Sequence, residues 1–500
     1  MNLFFSFIFY SNLNKFPKAN ILFLLSFDNE ILFAIFHLQS IFKQNIIINF
    51  IGDYSMLFLS IDFGTSAVKI SIIDENGSIQ CRAKHEYHYL LLPDEKVELS
   101  PDSLLSALFS AAKQLNPDLL KKVDYLCYDT FSPSLVLMNN NGELVYPNII
   151  THLDRRCRAQ SDFICNTIGK DAYLQISGIY PFAGGCSAMM LLWFQQNENY
   201  YLDKTEKIGH LTTYLHKLFT GKWMIDLVNA SMLGLYETTL QNSWSQELLA
   251  QFHFPSSWFS DIYPPGMLLG ALLPDIAKKL GVPAGIPVAV GTNDVAAAQM
   301  GAGNNTAGQI MNTAGSSEMV SILTDKPVTN PHYYLRNAAL PGLWQIYATT
   351  AGGFALDWFY LQFCHEMKRD DFYQKYLMDS IKKYGTTTTI TFDPYLTGDR
   401  QSLQKKAGAW HGLSLASTRE EMLAAMLKSI QKVLHTTLLE AKQFLTLDKT
   451  IKISGGMVTP AYLQMKKMEM PEFSFKQVDD CPLHGNVELI KYHNYESVSI

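Results

Sequence analysis

Leu57-Phe58-Leu59-Ser60-Ile61-Asp62-Phe63-Gly64-Thr65-Ser66-Ala67-Val68-Lys69-Ile70-Ser71-Ile72-Ile73-Asp74 is the stretch that decides the fold. An apolar run ends in an acid, Gly64, Thr65 and Ser66 make a tight turn, and Val68, Ile70 and Ile72 then alternate on one face. That pattern predicts two strands joined as a hairpin. Gly64 lets the backbone approach an anion, the turn N–H groups and the Thr65 and Ser66 hydroxyls can cradle phosphate oxygens, and Asp62 can hold a hydrated Mg2+. No helix follows the turn, which excludes a Walker loop and a dinucleotide fingerprint. A plain hairpin with no ligand is the competing reading of the same residues.

Working outward, Glu75-Asn76-Gly77 signals a turn and residues 78–89 a third strand. Pro101-Asp102 opens a helix with apolar positions at Leu104, Leu105, Leu108, Ala111, Ala112 and Leu115, and strands follow over 123–128 and 135–138. Strands mixed with helices in this order predict an α/β fold. Asp226 to Tyr236 mixes polar and small residues and reads as a loop lining a cleft.

Three later stretches carry chemistry. Thr151-His152-Leu153-Asp154-Arg155-Arg156 follows a short strand, and a carboxylate beside guanidinium groups matches paired hydroxyls; a capped helix start with a surface ion pair fits as well. In Gly291-Thr292-Asn293-Asp294 a buried strand delivers Asp294 to the start of an Ala-rich helix, where it can accept a proton from a hydroxyl nucleophile or simply cap the helix. Gln309 to Glu318 runs a second strand into a hydroxyl-rich turn, Gly315-Ser316-Ser317. Two such turns in two halves of one chain could grip a triphosphate from opposite sides.

Composition narrows the classes. With 500 residues, 17% charged and 48% hydrophobic, the chain has material for two large domains. A net charge of −6 offers no basic field for nucleic acid. Seven cysteines without a Cys-x-x-Cys pair argue against zinc and a disulfide framework, and favour a reducing cytoplasm. Residues 1–55 are dense in Phe, Ile, Leu, Asn, Ser and Lys, and their apolar runs are too short to span a membrane. They are expected to be non-native or disordered, with Met56 as the initiator; a weak membrane-associating anchor is the alternative.

Taken together, these motifs resemble the FGGY family of carbohydrate kinases, within the sugar kinase, actin and heat-shock chaperone ATPase group. Asp62-Phe63-Gly64-Thr65-Ser66 with Lys69 is similar to the first phosphate motif, Asp154-Arg155-Arg156 to the substrate-domain element, and Gly291-Thr292-Asn293-Asp294 to the catalytic-base motif. Gly315-Ser316-Ser317 resembles the second phosphate turn. Asp393 to Arg400 and Gly408 to Leu413 resemble the family's Pro-Tyr-Leu-x-Gly-Glu-Arg and Gly-x-x-x-Gly-Leu stretch, and Ser454-Gly455-Gly456 with Tyr462-Leu463-Gln464 the adenosine turn and helix.

The resemblance implies two actin-like (ribonuclease H-like) domains with a cleft between them. Residues 56–300 would bind the sugar and carry the first turn; residues 301–500 would carry the second turn and the adenosine site. It implies ATP and Mg2+ as cofactors, with Asp62 reaching the metal, Asp294 as general base, and Thr130 and Ser132 where substrate-selective residues stand. The activity implied is phosphorylation of a small sugar, ketose, polyol or sugar acid by a cytoplasmic enzyme, with no nucleic-acid or membrane partner and a homodimer left open. Two departures stand out: Ser187 lacks the family's lysine three residues on, and Leu483-His484-Gly485-Asn486 copies the usual small-residue helix poorly. The second motivates an alternative, a nucleotide- or sugar-sensing protein without turnover.

Overall fold

The computed structural model describes residues 55–396 and 406–496. The N-terminal segment up to residue 54 and Thr397-Gly398-Asp399-Arg400 of the later motif lie outside the described residues. The opening stretch forms β1 (Leu57–Phe63) and β2 (Ala67–Asp74), paired antiparallel, with β3 (Ile79–Glu86) on the far side of β2. All seven residues of β1 are buried, because strands flank it on both edges and helices cover its faces. Burying each large aliphatic or aromatic side chain contributes roughly 1.5–3 kcal/mol.

Helix α1 (Pro101–Ala112) starts where Pro101 and the Ser100 cap predict, and packs Leu104, Leu108 and Ala111 onto this sheet. Strand β4 (Tyr125–Thr130) then returns parallel to β1, which brings Asp129 level with Asp62. A smaller five-stranded sheet is built from residues between Leu90 and His210.

The segment expected to be a cleft loop, Asp226 to Tyr236, is instead mostly helix: α2 (Leu227–Met232), buried along its length. Asp226 caps it by accepting hydrogen bonds from the backbone N–H groups of Val228 and Asn229. Its alternating small and polar residues face protein on every side, so they read as loop-like in sequence while forming a buried helix. The first sheet is completed by β5 (Leu268–Ala271), β6 (Pro287–Ala289) and β7 (Thr292–Asn293), the last two parallel to β4. From β7 the chain enters α3 (Asp294–Gly301).

A second sheet repeats the plan. Strands β8 (Ile310–Ala314) and β9 (Ser317–Thr324) form an antiparallel hairpin around Gly315 and Ser316. To one side lie β10 (Tyr334–Asn337) and β11 (Trp344–Ala351). The long helix α4 (Arg419–Lys442) leads to β12 (Thr450–Ser454), which pairs parallel with β8 as β4 does with β1. Helix α5 (Pro460–Glu469) and β13 (Ser474–Gln477) follow. The architecture is therefore the expected α/β class with two mixed sheets flanked by helices.

Helix α6 (Cys481–Lys491) does not stay with the second sheet. It crosses back, seating Leu483, Val487 and Ile490 against Phe58, Ile73 and Cys127 of the first. The stretch that copies the family pattern poorly is thus a complete helix, and it crosses α3 where Gly301 and Gly485 meet. A Cβ on Gly485 would lie 1.8 Å from the Ala297 carbonyl oxygen, and one on Gly301 would lie 1.9 Å from that of Cys481.

A buried polar cluster braces the second hairpin. The Lys466 ammonium donates to Glu318 and to Gln431 Oε1, and Tyr462 and Asn312 also donate to the Glu318 carboxylate. Burial holds the Lys466 pKa below its usual value despite the Glu318 charge. Lys466→Met should lower stability by about 3 kcal/mol, because it leaves Glu318 charged and unpaired in the core. Lys466→Met with Glu318→Gln should recover most of that loss. Urea denaturation reads both, and a Lys466→Met protein as stable as wild type would refute the account.

Candidate active site

Four of the residues singled out in the sequence meet at the C-terminal ends of β1, β4 and β7. Asp62, 2% exposed, accepts a hydrogen bond from Lys69 Nζ at 2.8 Å, a pairing dictated by their being opposite each other in the β1–β2 register. Asp62 raises the Lys69 pKa, and Asp129 and Asp294 act on it in the same direction. Gly64 closes the turn by donating its N–H to the Ala67 carbonyl, while Thr65 and Ser66 are exposed at the tip. Tyr87, not foreseen from the sequence, pins this turn: its hydroxyl donates to the Gly64 carbonyl and its N–H to that of Ser66.

Asp294 is the first residue of α3, and the cap is its neighbour Asn293, whose side chain accepts from Val295 N–H. The simple-cap reading of Asp294 therefore fails at the atomic level. Asp294 Oδ1 accepts from Asn293 Nδ2 and Val295 N–H, both at 2.8 Å, which leaves Oδ2 to face other chemistry. Burial, followed by the nearby Asp62 charge, pushes the Asp294 pKa up to about 6, against the pull of Val295 N–H, Arg336 and Lys69. The group is poised to take a proton near neutral pH.

Asp129, which the sequence reading passed over, completes the cluster. Its Oδ2 accepts from Asn486 Nδ2 at 2.6 Å, and its Oδ1 is buried without a hydrogen-bond partner. Burial, reinforced by the Asp62 and Asp294 charges, raises its pKa well above the carboxylate range. Asn486 comes from α6, so the end of the chain reaches into the site.

Thr130, at the end of β4, is fully buried in register with Asn293, and its hydroxyl oxygen has no partner. Ser132 does reach a cavity, and it anchors a polar chain. Asn229 Nδ2 donates to Asp226 Oδ2 at 2.6 Å, so Asn229 Oδ1 accepts from Ser132 Oγ at 2.6 Å and from His210 Nδ1 at 2.7 Å. His210 is neutral, burial holding its pKa down to about 4, and its Nε2 accepts from Ser187 Oγ. Thr292 Oγ1 donates to Asp226 Oδ1 at 3.0 Å. This chain ties the cavity wall to the strand that presents Asp294.

The cavity encloses about 610 Å3, its open mouth included. Ser132, His152 and Arg155 line it from the first half of the chain, and Tyr334, Arg336 and Tyr347 from the second sheet. Asp154, expected beside Arg155 as a sugar ligand, points the other way. It is fully buried, accepting from Val97 N–H and from Arg156, which also pairs with Glu98. Its carboxylate is consumed in positioning the loop that carries Arg155.

The second predicted set forms its own cluster. Gly353 N–H donates to the Gly315 carbonyl at 2.8 Å and Phe354 N–H to that of Ser316 at 3.0 Å, which ties the Gly315-Ser316-Ser317 turn to the helix Gly353–Phe363. Gly455, at φ +114°, passes so close to β8 that a Cβ there would lie 2.2 Å from the Ala314 carbonyl oxygen. Gly456 and Met457 then line an open pocket of about 1010 Å3, its mouth included, together with Asp357, Arg369 and Tyr373. The Gly352-Gly353 pair was missed in the sequence because it matches no phosphate motif; its only signal is two adjacent glycines opening an apolar helix.

Among the described residues, no group of three or more His, Cys, Asp or Glu side chains converges to hold a metal, and no helix is long and apolar enough to cross a membrane. Asp62 and the unpartnered Asp129 Oδ1 are hard oxygen donors on adjacent strands. That suits a hydrated Mg2+, which takes one or two carboxylates and fills its remaining positions with water and phosphate oxygens.

Comparison with known proteins bears on these features. A sequence model described as the FGGY family of carbohydrate kinases, N-terminal domain, matches residues 57–301. The gluconokinase of Bacillus subtilis is 23% identical over 424 residues, 80% of this chain and 79% of its own length. The xylulose kinase of Lactococcus lactis is 25% identical over 421 residues, 82% of each. Among solved structures, the xylulose kinase from Rhodospirillum rubrum superposes with a TM-score of 0.79 at 18% identity, over 87% of this chain and 90% of its own. The gluconate kinase from Lactobacillus acidophilus gives 0.77 at 18%, over 87% and 89%.

Proposed function

From the premise that the chain belongs to the FGGY family of carbohydrate kinases, we propose that it transfers the γ-phosphoryl group of ATP to a hydroxyl of a small sugar, ketose, polyol or sugar acid. The observation that carries this reading is Asp294: Oδ1 is committed to Asn293 and Val295, and the carboxylate is tuned to a pKa of about 6 beside Asp62 and Lys69. Relatives named gluconokinase and xylulose kinase support the substrate class at that coarse level.

In the mechanism the sugar occupies the Ser132–Arg155–Arg336 cavity and ATP the second sheet. The Gly315-Ser316-Ser317 turn meets the phosphates, and the pocket beside Gly456 takes the adenosine. The attacking hydroxyl gives its proton to Asp294 Oδ2 as its oxygen bonds to the γ-phosphorus, and ADP departs with the bridging oxygen. The ammonium of Lys69 and the N–H groups of Thr65 and Ser66 would offset charge on the transferring group. Mg2+ held through Asp62, with Asp129, would supply further neutralisation of the phosphate charge.

ADP release measured over a panel of C3 to C6 polyols, ketoses and sugar acids tests the reading. Release should depend on one class of panel member, and its kcat/KM should fall as pH drops through about 6, because protonation removes the base. Tight ligand binding with no ADP release on any member would favour the sensing alternative.

A further inference from the structure

The cavity that would take the sugar has an unusual charge balance. Among the described residues that line it, Arg155 and Arg336 carry the charge, with His152, Tyr334 and Tyr347 beside them and no Asp, Glu, Asn or Gln side chain; Asp294 stands outside this wall, near enough to act on the Arg336 charge. A neutral polyol needs acceptors for its hydroxyl protons, and carboxylates and amides are the side chains best suited to that. This wall pairs two guanidinium donors with hydroxyls as its side-chain acceptors, those of Ser132, Ser177, Ser231 and Thr349 among them, in a chain whose net charge is −6.

Arg336 is the sharper half of the observation. It is 6% exposed, on β10, and its plane rests on Tyr347 with 4.1 Å from the guanidinium carbon to the ring centroid. Nε donates to Gln345 Oε1 at 2.8 Å and Nη1 points to Met232 Sδ at 3.5 Å, while Nη2 is buried with no partner. Among the described residues no carboxylate forms an ion pair with it; the acid that acts on its charge from a distance is Asp294. A buried guanidinium held by an amide, a thioether and a ring, with a nitrogen left over, is an anion site awaiting its anion. Arg155 is placed by similar care: a Cβ on Gly184 would lie 2.0 Å from its Nη1, so the glycine makes room for the guanidinium.

Resting on the kinase reading above, the geometry points to a substrate that is itself an anion, a sugar acid whose carboxylate is held by Arg336 Nη2 with Arg155 nearby, its reacting hydroxyl turned toward Asp294. Arg336 is then the residue that separates acids from neutral sugars. Because it belongs to the second sheet while Ser132, His152 and Arg155 belong to the first half, the bound acid bridges both.

Matched pairs test this: aldonic acids of four to six carbons against the alditols of the same length and configuration. Wild type should phosphorylate an acid with kcat/KM at least 100-fold above its alditol. Arg336→Met should cut kcat/KM for the acid at least 100-fold, chiefly through KM, and lower the acid-to-alditol ratio of kcat/KM at least 30-fold, whatever smaller loss the alditol shares through the Arg336 charge acting on Asp294. Arg336→Lys should fall between, and Arg155→Gln should weaken the acid selectively without touching the packing around Tyr347. Calorimetric titration of the acids into wild type and Arg336→Met reads the same preference without turnover. If acids bind and Arg336→Met abolishes that binding while no ADP forms, the anion site stands and the kinase reading falls. Preference of wild type for alditols or ketoses, equal losses on acid and alditol in folded Arg336→Met, or no binding of any acid would each overturn the assignment.

Discussion

Asp294→Asn should lower kcat about a thousandfold while changing substrate and ATP binding little, since the amide keeps the Oδ1 contacts to Asn293 and Val295 but cannot take a proton. The same variant should be more stable than wild type at pH 7. With the folded pKa near 6 and the usual unfolded value near 4, the folded state holds the proton more tightly. Ionisation therefore costs stability as pH rises through that window. Discounted for the partial exposure of Asp294, the cost at neutral pH is on the order of 1–2 kcal/mol. The Asn variant escapes it at pH 7 and gains nothing at pH 4. Single-turnover kinetics paired with thermal melts at the two pH values read both effects. Retained turnover, or a variant less stable at pH 7 than at pH 4 relative to wild type, would count against Asp294 as the base.

The second large effect is expected at the crossing of α3 and α6. Gly485→Ala should cost about 3 kcal/mol, because the new methyl would meet the Ala297 carbonyl oxygen at 1.8 Å, and two backbones cannot yield as a side chain can. The strain should reach the chemistry as well. Helix α3 begins at Asp294, and α6 carries Asn486, the hydrogen-bond donor to Asp129, so displaced helices move the acid cluster from both ends. His484→Ala, one residue away and half-buried, is the control and should stay within about 0.5 kcal/mol of wild type. Denaturant unfolding and steady-state rates on the two variants separate them; a Gly485→Ala protein indistinguishable from the control would mean that the helices do not cross this closely in solution.

Why some of the site was legible in sequence, and some not, follows from range. The turn at Gly64 to Ser66 and its partner at Gly315 to Ser317 are local objects. Alternating apolar residues, a glycine and small hydroxyl residues suffice to specify a hairpin, and the pairing of Asp62 with Lys69 follows from the register that the turn imposes. Asp294 was visible for the same reason, as an acid between a buried strand and an Ala-rich helix. Asp226 to Tyr236 misled because hydrophobic periodicity marks a helix with one wet face, and α2 has none. Asp154 misled because a carboxylate beside arginines looks alike whether it meets a ligand or its own neighbour Arg156.

By itself the amino-acid sequence determined the class of fold, the two hairpins and the acid at the head of α3, since each depends on residues only a few positions apart. Tertiary structure alone decided that Asp129 and Asn486, 357 positions apart, share a hydrogen bond, that Arg336 joins Arg155 and Ser132 around one cavity, and that a helix from the end of the chain buttresses the first strand. Those placements arise from burying apolar faces of elements distant along the chain. Such burial selects partners by the shape and area of whole surfaces, and no short stretch of residues records it.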